Sequence, residues 1–269
     1  RLMRAADRDH QVRAREPERR RGLRLRRRAA AARRAQVRGL ALAGAVAAQV
    51  EVLRRADHVW REHLDDHLKN WPFDPSGISV RLVQGQDKRE VIQMRVDMGI
   101  LQLETTGRPD GTSPEGFETY HDYLISEAVR LGDEFEFDEE KSHEVDREFV
   151  QYYHRRVCWL ALCNFAKAVE DADHTLGLMD FCRDHSNDEQ WTITHEQYRP
   201  FVLFHRTQAA ALAALESDGP EAAIEEITSG LERMREVFER YYALEQYDDD
   251  ELVTRLLETR ETLRQKHEV

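Results

Sequence analysis

Acids and histidines stand at helical spacing in three places: Glu140 with His143, Asp171 with His174, and His195 with Glu196 ahead of His205. Bundles that hold two iron or manganese ions project such groups inward from facing helices, because residues three or four apart share a helix face. A helical metal-dependent enzyme is the chemistry these pairs would support. With 52 acids and 12 histidines in the chain, such pairs also arise without function. Asp173, His174, Glu196 and Arg199 then serve as polar contacts at the rim of a groove, and no cofactor or metal is expected. His63 and His67, with Asp65 and Asp66 between them, have a spacing that can clamp zinc, and equally suit a solvated helix face. His154 and Cys158 could place a base beside a thiol, but the neighbours Trp159 and Leu160 point to a core cysteine. Asp248-Asp249-Asp250-Glu251 precedes Leu252, Val253, Leu256 and Leu257, so its charge complements a helix dipole without any cation. The sequence holds no Gly-rich phosphate loop, Gly-x-Ser-x-Gly, His-Glu-x-x-His or Cys-x-x-Cys. The expectation is a protein that binds and does not catalyse.

The segment from Phe181 to Pro200 is the strongest candidate for binding. After the breaker Asp184-His185-Ser186-Asn187-Asp188 it offers Trp191, His195, Glu196, Tyr198 and Arg199, residue types that anchor protein interfaces. The alternative is a capped loop whose Trp191 covers the core.

What must position these residues follows from composition and period. A chain of 269 residues, 41% apolar and 34% charged, can bury a core without staples and carries the polarity of Glu- and Arg-laced helices. Cys158, Cys163 and Cys182 form no spaced framework, which suits a reducing compartment, and the cytoplasm is the expected location. Residues 1–50 contain 15 Arg, no Lys and four acids, a net of about +11 that leaves about −23 on the remainder. This Arg/Ala-rich arm has three readings: a disordered tail for nucleic acid or membrane, a signal segment around Arg33-Arg34 and the apolar stretch 39–48, or translated upstream sequence without a role. An acidic body repels nucleic acid, so any such contact falls to the arm.

Three regions are expected: the arm at 1–50, a helix with a small antiparallel β unit at 51–111, and helical hairpins at 112–269. Val52, Val59, Trp60, Leu64 and Leu68 predict a helix over 51–70, stopped by Trp71-Pro72 and Pro75-Ser76-Gly77. Alternation through Ile78, Val80 and Leu82, and through Ile92, Met94, Val96 and Met98, predicts strands, with a turn at 85–88 and a bulge or tight turn at Gly99. Ser113-Pro114 is the expected start of a helix running to Leu131. The acids 133–140 are a linker or helix start, and a long helix covers about 144–163.

An internal repeat organises the remainder. Ala168-Val169-Glu170-Asp171 with Leu176 and Met179 matches Ala223-Ile224-Glu225-Glu226 with Leu231 and Met234 position for position. The apolar stripes Phe165, Val169, Ala172, Leu176, Met179 and Ile224, Ile227, Leu231, Met234, Phe238, Tyr241 each need a neighbouring helix, at about 144–163 and 198–216. Two antiparallel hairpins are the expectation.

Tyr152, Trp159, Phe165, Ala168 and Leu176, then Ala211, Ala223, Gly230 and Leu231, resemble the tetratricopeptide signature. Arg156 stands where that pattern has a small residue, and the repeat distance of 55 exceeds the usual 34 or so. From about residue 72 onward, Ile92-Gln93-Met94-Arg95-Val96-Asp97-Met98-Gly99, Gly107-Arg108-Pro109-Asp110-Gly111, Glu115-Gly116-Phe117-Glu118 and His195-Glu196-Gln197-Tyr198-Arg199-Pro200-Phe201 resemble a family of uncharacterised bacterial proteins containing a UvrB/UvrC-type motif. That motif is a helical hairpin for protein contacts with a run of the kind Glu-Ala-Ala-x-Leu-Arg-Asp. Leu256-Leu257-Glu258-Thr259-Arg260-Glu261 matches it poorly, and the expectation is that Val269 falls just before it.

The fold class expected is α+β and predominantly α: a small antiparallel sheet followed by tetratricopeptide-like helical hairpins. The expected function is an adaptor or scaffold holding a protein partner, or another copy of itself, between hairpins. A DNA-repair-related nucleic-acid protein using the arm, and the metal-dependent enzyme, are the alternatives.

Overall fold

The computed structural model describes residues 64–241 and 244–267. The basic arm, His63 and most of the helix expected at 51–70 lie outside them. The described part of that helix is α1, Asp65–Asn70, which ends at Trp71 as its Trp-Pro stop requires.

Three strands follow, β1 (Ser79–Gln84), β2 (Glu90–Val96) and β3 (Gly99–Glu104), paired antiparallel in chain order. Register places Val80 opposite Met94, Leu82 opposite Ile92 and Ile92 opposite Leu103. One face therefore gathers the apolar residues that alternation predicted, and Ile92 and Leu103 pack on Trp159, Ala168 and Ala209. The other face carries a polar ladder, with Arg81 donating to Gln93 and Gln93 to Gln102. Gly99 follows the two-residue turn Asp97-Met98 and opens β3, so the phase shift there is a tight hairpin. Met98 sits in that turn, 91% exposed, and the buried alternation ends at Val96. Arg95 clasps the turn by donating to the carbonyls of Trp71, Val96, Asp97 and Gly99.

Ser113-Pro114 does not start a helix. Pro114–Gly116 makes a single 3-10 turn, and Glu115 (φ +49°) with Gly116 (φ +85°) turns the chain out of helical geometry. α2 (Tyr120–Leu131) begins at Thr119, whose hydroxyl accepts from the Asp122 amide at 3.0 Å. α3 (Glu139–Ala161) begins earlier than residue 144, because Asp138 caps it and the first-turn acids suit its dipole.

Beyond it come α4 (Phe165–His185), α5 (Glu189–Glu196), α6 (Arg199–Ser217), α7 (Pro220–Tyr241) and α8 (Glu251–His267). The packed antiparallel pairs are α3 with α4, α4 with α6, and α6 with α7, and α8 closes against α7. The repeated stripes meet in one core where Ala172, Leu176 and Met179 of α4 touch Ile227, Leu231 and Met234 of α7 through Val202 and Leu203 of α6. Each of the larger side chains among them contributes about 1.5–3 kcal/mol by leaving water. The short helix α5, inserted between α4 and α6, together with hairpin helices of 19 to 22 residues, accounts for the repeat distance of 55. Asp250 accepts from the Leu252 and Val253 amides and so caps α8, and Glu251 is the acid of its first turn. No helix among the described residues is long and apolar enough to cross a membrane.

Candidate functional site

α3 presents Asp146, Phe149, Val150, Tyr153 and Arg156, each three or four residues from another of the set, hence on one face. That face is only partly covered by α4 and α6, and α5 stands across the gap. The result is a hollow of about 780 Å³ whose walls are Phe149, Val150 and Tyr153 of α3, Met179 of α4, Trp191 and His195 of α5, and Phe201 and Val202 of α6, with Tyr198 at the α5–α6 corner. Val150, Tyr153 and Tyr198 are at its lip, 55%, 41% and 58% exposed. Size and lining match a ligand cavity: mostly apolar, with few polar groups.

α5 is fastened to α3 by specific bonds. Asp188 caps it by accepting from the Trp191 amide. The Trp191 indole donates to Asp146 Oδ1 at 3.1 Å, and His195 Nε2 lies 2.9 Å from the same oxygen. The His195 ring rests against Phe149 and Trp191.

At the other end of α3's face is Arg156, only 1% exposed. Its Nη1 donates to Thr175 Oγ1 at 3.0 Å and its Nε to His205 Nδ1 at 3.4 Å. Burial pushes its pKa down to about 10, against the weaker pull of Asp171. His205 is pushed down to about 4 by burial and then by Arg156, so it is a neutral acceptor at pH 7. Five arginines are buried in the described residues, and the other four face carboxylates or main-chain carbonyls. Arg95 has its four carbonyls; Arg108 has Glu144, Glu148 and Asp110. Arg155 holds Asp171 and the Glu104 and Gly107 carbonyls, and Arg199 holds Glu196 and Asp180. Arg156 alone has neither.

The five residues expected to bind a partner divide. Trp191, His195 and Tyr198, at steps of four and three, line the hollow. Glu196 and Arg199 occupy the opposite face, where Arg199 forks onto Glu196 at 2.5 and 2.7 Å and reaches Asp180 at 2.9 Å. That pair sits beside a separate cleft of about 250 Å³ edged by Arg183, Arg233 and Arg240. Asp173, placed at a groove rim from sequence, binds Arg206 at 2.6 Å.

The acid–histidine pairs are not brought together. Asp171 is held by Arg155, and His174 Nε2 lies 3.0 Å from Glu148 Oε1. His143 is exposed near Glu139, His195 is on Asp146 and His205 on Arg156. Among the described residues no group of three His, Cys, Asp or Glu can hold a metal ion. Cys158 is fully buried and burial raises its pKa to about 12, so it is a core thiol.

Phe149, Tyr153, Arg156 and Phe201 line the hollow without having been singled out as site residues. For Arg156 the signal was its departure from the tetratricopeptide pattern. No protein-family model, curated protein or solved structure matches the chain.

Proposed function

We propose that this chain is a non-catalytic adaptor whose hollow between α3, α4, α5 and α6 receives an apolar segment of a partner protein. The observation that carries this reading is the cavity of about 780 Å³, whose aromatic lining continues outward through Val150, Tyr153 and Tyr198. Val150, Tyr153 and Tyr198 put exposed apolar and aromatic surface at its mouth, the kind of patch that an amphipathic segment of a partner covers.

The test is photo-crosslinking in the source cell, using the full chain with benzoylphenylalanine in place of Val150 or Tyr198. Arg235, exposed on α7, serves as a remote control position. A discrete protein adduct from the lip positions, absent from position 235 and lost with Trp191→Ala, supports the proposal. Adducts equal at all three positions, or none from the lip, reject it.

A further inference from the structure

We infer that the segment entering the hollow delivers a side-chain carboxylate, from aspartate or glutamate between apolar neighbours, to Arg156. The inference rests on the adaptor reading and adds the chemistry of its guest. A guanidinium has five N–H donors, and Arg156 commits one to Thr175 and one to His205, both neutral acceptors. A cation sealed from water, with no carboxylate bonded to it and with the field of Asp171 shared with the Arg155 that binds that acid, is unfavourable by several kcal/mol. The chain supplies counter-ions or carbonyls to every other buried arginine among the described residues, and at Arg156 leaves donors beside an open cavity. A planar carboxylate can accept two parallel N–H bonds from such a fork.

The hollow also has polarity along its length. Asp146 and Arg156 both line it and are ten residues apart on α3, about 15 Å at 1.5 Å per residue. Asp146 is engaged by Trp191 and His195 at one end, and Arg156 forms the inner wall at the other, 1% exposed, so that a guest reaches it as neighbouring side chains give way. A guest with one negative group is therefore oriented, its acid toward Arg156 and its apolar flank over Phe149, Tyr153 and Phe201. A single positive charge whose hydrogen-bonded neighbours are neutral and which already lies in the field of Asp171 suits one carboxylate better than a doubly charged phosphate.

The test uses the full chain and an array of acetylated, amidated heptapeptides, apolar or aromatic around a central Glu, each paired with its Gln counterpart. Binding is read by fluorescence polarisation at fixed salt. Glu peptides are expected to bind at least tenfold tighter than their Gln partners. That preference disappears in Arg156→Gln and partly returns in Arg156→Lys, while apolar sequence preference persists in all three. A second readout needs no ligand: Arg156→Met is expected to raise the melting temperature of the free chain, since it removes an unpaired buried charge. A melting temperature lowered by several degrees makes Arg156 a structural residue and overturns the inference. Equal binding of Glu and Gln peptides also overturns it and leaves the adaptor reading standing. Failure of both series together with absence of lip crosslinks removes the adaptor reading itself. Arg156-dependent binding of 4-phenylbutanoate in the absence of any peptide binding assigns the hollow to a free organic acid and overturns the polypeptide source.

Discussion

Gly230 in α7 lies directly against Thr207 in α6: a Cβ added to the glycine would stand 2.1 Å from Thr207 Oγ1 and 2.7 Å from its Cβ. Both residues are buried, and the missing side chain at Gly230 lets the two helices approach closely here. On helix propensity alone, Gly230→Ala is favourable by about 1 kcal/mol. Overpacking opposes it by about 1–3 kcal/mol, and distances this short put the balance firmly on the destabilising side. Urea unfolding is expected to show a net loss of at least about 1 kcal/mol. Adding Thr207→Gly should recover part of it, a coupling that independent sites do not show. A stabilised Gly230→Ala chain contradicts the close approach.

The same pair shows what was legible in the sequence. The stripe on α7 fixed which face is buried, and Gly230 belonged to the repeat pattern, because helical period reports burial directly. The sheet was legible for the same reason, down to the Ile92–Met94 alternation. Charged residues were not, because a period of charge looks identical whether it faces solvent or a buried acid. Arg95, Arg108 and Arg155 each have at least one partner 24 to 51 residues away in sequence, and no local pattern announces such partners. The hollow was half legible. Trp191, His195 and Tyr198 share a face by spacing, yet the breaker at 184–188 does not announce a separate short helix that turns them toward α3, and neighbourhood in sequence groups Glu196 and Arg199 with them although angle separates them.

Arg155 and Asp171 form the most enclosed ion pair of α3 and α4, each 5% exposed at the side chain, with contacts of 2.7, 3.0 and 3.2 Å. Arg155 also donates to the carbonyls of Glu104 and Gly107, so it ties the end of β3 to the helices. Asp171→Asn leaves that guanidinium short of a counter-ion, and a loss of about 3–5 kcal/mol is expected. Hydrogen exchange at residues 104–111 should rise in the variant more than exchange within α7. Arg155→Met/Asp171→Leu, which removes both charges, should restore much of the stability. A double variant as weak as Asp171→Asn contradicts the assignment of the loss to an uncompensated charge.

The three cysteines differ in access. Cys158 and Cys182 are buried, and burial raises both thiols, Cys158 to about 12. Cys163 is exposed at the α3–α4 turn, in left-handed geometry at φ +57°. Thiolate is the reactive form. A disulfide-exchange reagent at pH 8 should therefore modify one thiol per chain in the native state and three after unfolding. Cys163→Ser should abolish the native reaction. Rapid native modification of Cys158 would instead revive a thiol paired with His154.

Two histidines couple stability to pH. His121 is lowered to about 4, first by burial and then by His174, with Glu148, Asp122 and Asp180 acting the other way. His205 is lowered to about 4 by burial and by Arg156. In the unfolded chain each titrates near 6.5, so between about pH 6.5 and 4 the unfolded state binds more protons and stability falls as pH falls. Their contribution is fully present above about pH 6.5 and is lost down to about pH 4. At 1.36 kcal/mol per pH unit the full effect is roughly 3 kcal/mol per ring, and less where the ring is partly exposed. The carboxyls of Asp110, Asp138 and Glu144 are held below their ordinary range by hydrogen bonds and arginine or lysine partners, against the effect of burial, and Asp171, raised by burial, works in the opposite sense, so a decline between pH 6.5 and 5 is assigned to these histidines. Unfolding free energies measured across that window should decline in the native chain. His205→Gln should remove about half of that slope, because one of the two rings no longer takes up its proton on unfolding. A slope that survives intact in His121→Gln/His205→Gln places the coupling elsewhere.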